Sequence, residues 1–442
     1  MKKQLLFLAC VIVLFGCAKN DGISPDSDDT QPKQNYEPIG RVLTADQVKS
    51  LALQIPADYS TDRATRSAAK RIKEIVPFGQ TVWGTRVRTK SADADPTAEA
   101  IKDIYIVNYE DSAGFAIVSA DNRLPDVLAY SDKGTLSENE NLPEGVKMFL
   151  AALPDYARIE AARTDSLIAA KNRSLDSLPD PDGYYRLNPR HEWGPKMYFT
   201  DNPVIKTQWG QDRPFNEEAP IINGVRAKAG CVPVAIAQIT SYHGTPVRAY
   251  DYNNIELGIY YNLNWPILAN CLTGDDVFNA YMNKPVAVYL RWIGGLCNAN
   301  YGTVETTAAD DSPQNVFKTF GYSYKSIGPY EFKSLCLSIR RKQPAYLCGR
   351  SPDNSKGHAW VADGVKCWEQ NYYLIYDLYD ANMNFVRTET VYDGVTGHLD
   401  THIYCNWGVN GTYDGFFEAG VFKPGISDFT RNVKQVIDIM PN

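Results

Sequence analysis

A cysteine nucleophile needs a base to take its proton and a third group to hold that base. The chain offers nine cysteines and five histidines for such work. Cys231 stands in Ala229-Gly230-Cys231-Val232-Pro233-Val234-Ala235-Ile236-Ala237-Gln238-Ile239, where Val232, Ala235, Ile236 and Ile239 recur at helical spacing. Pro233 is tolerated only in a first turn, where its missing N–H costs nothing. Gly244 suits a left-handed stop. Cys231 is therefore expected at a helix start, among unpaired N–H groups and the positive end of the helix dipole. That setting lowers a thiol pKa and favours the attacking thiolate. The competing reading is a small buried residue in a core helix, which is what most free cysteines are.

The histidines sort unevenly. His191 falls in a presumed linker, and His243 lies about three turns along the Cys231 helix, too far to reach the thiol. His398 sits beside Gly397 in a polar turn, and His402 begins a strand as a weaker rival. His358 follows Gly357 directly and opens the apolar strand Ala359-Trp360-Val361. A lone histidine is more often structural, but paired with a helix-start cysteine it becomes the candidate base. Asn406-Trp407 can supply the third group: the amide oxygen accepts the imidazole Nδ1–H, and the tryptophan covers that bond from water. Adjacent strand residues point to opposite faces, so Gly408 must turn the backbone for both to serve.

Elements must bring these groups together. From about His191 the chain is rich in Trp, Tyr and Gly. Helices are expected from Ser312 to Gly321 and from Tyr330 to Arg341. Strands follow from Pro344, over His358–Asp363, Tyr372–Leu378, His402–Trp407 and Phe416-Phe417. Helices first and an antiparallel sheet after is an α+β arrangement. Upstream, Thr44-Ala45-Asp46-Gln47 is a capping-box pattern. Ile104–Val107 and Gly114–Ser119 read as paired strands, and Pro143 to about Ala170 as a long helix. Residues 41–190 thus form a small α/β unit, closed by a Pro- and Asp-rich connection over Ser177–Asp182.

The extreme N-terminus carries Met1-Lys2-Lys3 and a Leu5–Phe15 apolar run too short to span a membrane, as in a secretory signal. Leu14-Phe15-Gly16-Cys17 resembles a bacterial lipobox, in which the cysteine is lipidated and becomes the first mature residue. Residues 18–40 are polar and read as a disordered tether. The net charge of −7, with no basic block, excludes nucleic acid as a partner class. No C-x-x-C pair supports a zinc ribbon or redox motif. Seven cysteines lie beyond Cys17, an odd number, so at least one thiol stays free.

Taken together, Gln208-Trp209-Gly210-Gln211, Gly230-Cys231 with Gln238, Gly357-His358-Ala359 with Asp363-Gly364, and Asn406-Trp407-Gly408 with Asp414-Gly415-Phe416 resemble the streptopain family of cysteine peptidases. Gly114–Asp121 leading to Ala129-Tyr130-Ser131-Asp132 resembles that family's inhibitory propeptide. The resemblance implies a papain-like fold, Cys231 as nucleophile, His358 as acid/base, and Asn406 and Trp407 as orienting and shielding groups. The 127 residues between Cys231 and His358 lie close to the roughly 130–150 of papain-like enzymes. The Cys231 N–H is a natural oxyanion donor. Gln208 or Gln211 adds an amide, Gln208 being favoured by analogy. Departures from the family are Pro233 in place of a small residue, Val409 for a second tryptophan, Asn410 for glycine, and Cys348 where glutamine can occur. A strand pair is added around Tyr372 to Asp393.

The sequence thus reads as a signal peptide (1–17), a tether (18–40), an inhibitory propeptide domain (41–190) and a cysteine peptidase domain (191–442). The expected activity is endopeptidase cleavage of proteins, without metal or organic cofactor, by an exported lipoprotein zymogen at the outer membrane or cell surface. Its expected partners are protein substrates, its own propeptide and a membrane. Rival readings are an inactive surface binding protein of the same fold and a cell-wall amidase with the same dyad.

Overall fold

The computed structural model describes residues 37–61, 70–88, 96–176, 183–353 and 356–442. The signal peptide, Cys17, most of the tether and the 177–182 connection lie outside them. Among the described residues no helix is long and apolar enough to cross a membrane. Residues 36–442 form one compact unit.

The strands are β1 (Glu37–Pro38), β2 (Ile72–Pro77), β3 (Ile104–Tyr109), β4 (Phe115–Ser119), β5 (Val127–Ser131), β6 (Tyr184–Asp201), β7 (Ile221–Ile222), β8 (Val225–Arg226), β9 (Arg248–Tyr250), β10 (Tyr260–Asn262), β11 (Tyr322–Pro329), β12 (Ala345–Arg350), β13 (Gly357–Asp380), β14 (Phe385–Asn406), β15 (Gly415–Glu418) and β16 (Lys434–Pro441). One antiparallel sheet runs β11-β16-β12-β13-β14-β15-β5-β4-β3-β2, with β6 on the far part of β13 and β1 on β6. The join between the N-terminal and C-terminal strands is the pairing of Gly415, Phe416 and Phe417 with Ser131, Tyr130 and Ala129. The fold is α+β, as expected, with helices packed against this sheet.

Local expectations hold where the pattern is local. The Thr44 capping box forms at the start of the Ala45–Tyr59 helix. The Ile104 and Gly114 strands pair as β3 and β4. The long helix spans Glu144–Asp176, and the later helices span Ser312–Thr319 and Phe332–Arg340. The added strand pair is the outer half of β13 and β14, which turn through Asp380–Asn384.

The first described strand, β1, lies ahead of the Thr44 cap, inside the stretch read as tether, and pairs Glu37 with Trp193 and Pro38 with Glu192. The stretch around residue 190 is not a loose linker. It is β6, eighteen residues paired with β13, so Arg186, Arg190 and Lys196 all lie within a hydrogen-bonded strand.

The Cys231–His243 helix is buried nearly throughout, with Val234, Ile236 and Ile239 fully enclosed. Burying side chains of this size stabilises by about 1.5–3 kcal/mol each. Gly230 starts the helix at φ +100°, where a Cβ would lie 3.0 Å from the Thr306 methyl. Gly244 ends it in the left-handed conformation. The Glu144–Asp176 helix packs on the same sheet, burying Val146, Phe149, Leu150 and Leu153 in a core shared with Trp360, Trp407 and Phe417.

Candidate active site

Cys231 and His358 line one cleft, with Glu305, Thr306, Cys348 and Gly349 among its walls. Cys231 is the first residue of its helix, and His358 is the second residue of β13. The two chain positions meet because the helix packs against β13. The histidine does not bond the thiol here. Its Nε2 lies 2.9 Å from the Trp407 carbonyl oxygen. A carbonyl only accepts, so Nε2 carries the proton and Nδ1 remains the basic nitrogen. Burial pulls the His358 pKa down to about 4, opposed by the Trp407 hydrogen bond and by the Glu144 carboxylate.

The thiol departs from the expectation of a low pKa. Burial raises it, and this outweighs the N–H groups of Ala359, Val232 and Cys231, which favour the thiolate. The helix start acts in the expected direction but is overridden in this closed form.

Asn406 is placed differently from the sequence-based expectation. Its Oδ1 accepts from Gln238 Nε2 at 2.9 Å and from the Gly408 N–H at 3.1 Å. Its Nδ2 donates to the Thr207 carbonyl at 2.9 Å and to Gln238 Oε1 at 3.0 Å. The amide pair is buried and satisfied from both sides, and Gln238 Oε1 also accepts the Trp209 N–H. In this structure it is therefore Trp407, through its carbonyl, that holds His358. The Trp407 ring is fully buried, 6.1 Å from the imidazole and in T-shaped contact with Phe417 at 5.1 Å.

Gln208 does not line the cleft. Its Oε1 accepts from Lys133 Nζ at 3.0 Å. Gln211 does not line the cleft either; its carbonyl accepts the N–H of Ala229, two residues before Cys231, at 2.9 Å.

Three groups that the sequence reading quoted only as motif members or departures, without a role, lie around the site. Asp414 accepts the Trp407 N–H at 2.8 Å, and Asp363 accepts those of Val204 and Ile205. Burial raises these carboxyls to about 8 and about 7, so near neutral pH Asp414 is held mostly as the acid and Asp363 is divided between the two forms. Their Asp-Gly dipeptides are visible in the sequence, but dipeptides of this kind also mark ordinary turns. Cys348 pairs with Ala359 across β12 and β13, and burial pushes its thiol up to about 12. Cys231, Cys271, Cys297, Cys336, Cys348 and Cys405 are free thiols.

The N-terminal part reaches the same place. An ideal Cβ on Gly145 would lie 2.3 Å from the Trp407 ring and 3.0 Å from His358 Cδ2. The helix backbone is therefore pressed onto both residues. The terminal methyl of Met148, one turn on, lies 2.5 Å from where a Cβ on Gly349 of the cleft wall would stand. Glu144 lies 3.5 Å from Lys356, just ahead of β13.

Comparison with known proteins resolves the two parts. Residues 209–417 match the profile of the Peptidase C10 family, and residues 43–157 match that of the Spi protease inhibitor. The chain is 23% identical over 375 residues to streptopain of Streptococcus pyogenes, covering 77% of this chain and 81% of that one.

The chain carries a Peptidase C10 family domain behind a Spi protease inhibitor domain.

It is a cysteine endopeptidase with an inhibitor-type propeptide ahead of it. It is also 24% identical over 343 residues to the thiol protease/hemagglutinin PrtT of Porphyromonas gingivalis, covering 73% of this chain and 34% of that protein. A solved fragment of prointerpain A from Prevotella intermedia matches with a TM-score of 0.46 at 21% identity, covering 75% of this chain and 94% of the fragment. With these bounds, Val127, Lys133, Glu144, Gly145 and Met148 belong to the inhibitor part. The β5–β15 pairing and the contacts on His358, Trp407 and Gln208 all join propeptide to peptidase.

Proposed function

We propose that Cys231 and His358 are the catalytic dyad of this peptidase and that the propeptide keeps them apart. The observation that carries the reading is the shared cleft in which His358 is turned to the Trp407 carbonyl beneath Gly145. On release, His358 takes the Cys231 proton at Nδ1. The thiolate attacks the substrate carbonyl carbon, and the oxyanion receives the Cys231 N–H and a side-chain amide. Gln208, freed from Lys133, or Gln211 supplies that amide. The imidazolium gives its proton to the leaving amine, the C–N bond breaks and a thioester remains. Water, deprotonated by His358, hydrolyses the thioester and restores the thiol. Asn406 holds the strand end from which Trp407 covers the imidazole.

The substrates are proteins presented as extended chain. Export as a Cys17-linked lipoprotein accounts for the short apolar run that ends in Gly16-Cys17. Maturation cuts the basic stretch between the two parts. Of Arg186, Arg190 and Lys196, Arg186 lies nearest the start of β6 and needs the least peeling from β13.

The test is the full-length chain with Cys231→Ala. It should lose protein hydrolysis and stay at precursor length, whereas the parent chain shortens and its new N-terminus can be sequenced. Retained hydrolysis by the variant refutes the dyad.

A further inference from the structure

The cleft contains two carboxylates whose surroundings differ. Asp310 is neutralised: Arg350 lies 2.7 Å away and Lys434 2.9 Å away, and these partners hold its carboxyl below the usual range even though burial opposes them. Glu305 lines the same cleft, half-buried, and among the described residues no hydrogen bond or ion pair uses its carboxylate. Its charge is felt at the reacting thiol, where it adds to burial in opposing ionisation of Cys231.

The loop that carries Glu305 is braced. Thr306 is buried, and its hydroxyl donates to the Lys228 carbonyl at 2.7 Å and accepts from the Gly302 N–H at 3.2 Å. Asn300 and Thr307 exchange backbone hydrogen bonds of 2.8 and 3.0 Å, and the Lys228 N–H reaches the Gly302 carbonyl at 3.0 Å. The Thr306 methyl rests against Gly230, the residue before Cys231. A side chain on a rigid element next to the reacting atom is suited to discriminate between substrates. A half-buried carboxylate without a partner has lost part of its hydration and gained nothing in return. A cationic group entering the cleft would complete it.

We propose that Glu305 is a specificity-determining residue that selects substrates with a lysine or arginine side chain beside the scissile bond. This rests on the Cys231 reading above. The bound ammonium or guanidinium donates to the Glu305 carboxylate, while Arg350, tied to Asp310 and to the Ala308 carbonyl, does not compete for it. An acidic side chain at the same place meets an uncompensated like charge and is rejected.

The test uses enzyme matured from the full-length chain and fluorogenic peptides that vary one residue at a time on either side of the scissile bond. At one position, lysine should be preferred over its neutral counterpart in kcat/KM by roughly tenfold, the worth of one hydrogen bond to a charged group. Glu305→Gln should collapse that ratio, and Glu305→Lys should invert it in favour of glutamate at that position. High salt should shrink the parent's preference. A parent enzyme with no charge preference at any position, or a preference that survives both substitutions, overturns the assignment. Cleavage that persists in a Cys231→Ala control fails the underlying dyad reading instead, and this inference with it.

Discussion

His358 Nε2 and the Trp407 carbonyl oxygen are 2.9 Å apart, and Gly145 of the propeptide lies on both residues. The ring of the residue that holds the histidine, and the histidine itself, thus lie directly under the inhibitor helix. Displacing the helix frees the Trp407 ring and the imidazole together.

Gly145 is therefore the position where a small change should matter most. Alanine is the better helix former by about 1 kcal/mol, so Gly145→Ala should not weaken the propeptide helix itself. It would place a methyl 2.3 Å from the Trp407 ring, and overpacking of this kind costs roughly 1–3 kcal/mol. The precursor should gain activity with a shorter lag than the parent in a continuous peptidase assay. An unchanged or longer lag contradicts the clamp.

A second histidine couples the interface to pH. His402 is fully buried on β14, and its Nε2 donates to the propeptide carbonyl of Val127 at 2.7 Å. Tyr59 and Trp368 pack on its ring, and its Nδ1 has no partner. Burial pulls its pKa to about 3, opposed by the Val127 bond and reinforced by the Lys366 and Lys196 cations; Lys196 is itself paired with Asp126. Once the propeptide leaves, the value returns toward about 6.5. Above that pH both states are neutral and the closed form is not penalised. As pH falls below it, the open form binds a proton that the closed form refuses until near pH 3, so opening is favoured by up to about tenfold per unit. Precursor activation should accelerate between pH 7 and pH 5. His402→Gln, which can still donate to Val127 but does not titrate, should flatten the profile; an unaltered acid response in that variant argues against His402.

How much of this was legible in the sequence depends on range. The Cys231 helix, its Gly244 stop, the Thr44 cap and the β3–β4 pair follow from neighbouring residues and appear as read. The β5–β15 pairing joins Tyr130 to Phe416 across most of the chain, and no local pattern encodes it. The sequence leaves open whether the dipole or burial dominates at Cys231, because the outcome depends on what packs over the helix start. His402 reads as a weaker rival to His358 at the start of the His402–Trp407 strand pattern, whereas in the structure it lies inside β14. Only the fold shows one at the cleft and the other against Val127. Asn406 reads in the sequence as the partner that orients the imidazole, but in the structure Gln238 takes that place and the Trp407 carbonyl holds His358.

That amide pair gives a stability prediction. Asn406→Ala strands the Gln238 amide donor, the Thr207 carbonyl and the Gly408 N–H in a dry site. Leaving such groups unpaired costs about 1–3 kcal/mol each, so thermal unfolding should shift down by several degrees. Gln238→Ala should do the same. The double variant should lose less than the sum, because both remove one network. Strict additivity would show that the pair is not a unit.

Lipid attachment is tested separately. A single acyl chain anchors only marginally, so a stable lipoprotein carries several. Cys17→Ser should move the exported chain from the detergent phase to the aqueous phase or stop signal cleavage. Unchanged partitioning counts against lipidation.

The most direct test of the central claim is to find which of the seven described cysteines reacts with a thiol-directed peptide probe, before and after maturation. Mass spectrometry of the labelled chain locates the site. The expected result is labelling confined to Cys231, slow in the precursor and fast once the propeptide is gone, with the fast phase lost in His358→Ala. Labelling of the mature enzyme at a different cysteine, or a Cys231 rate that ignores both the propeptide and His358, would contradict it.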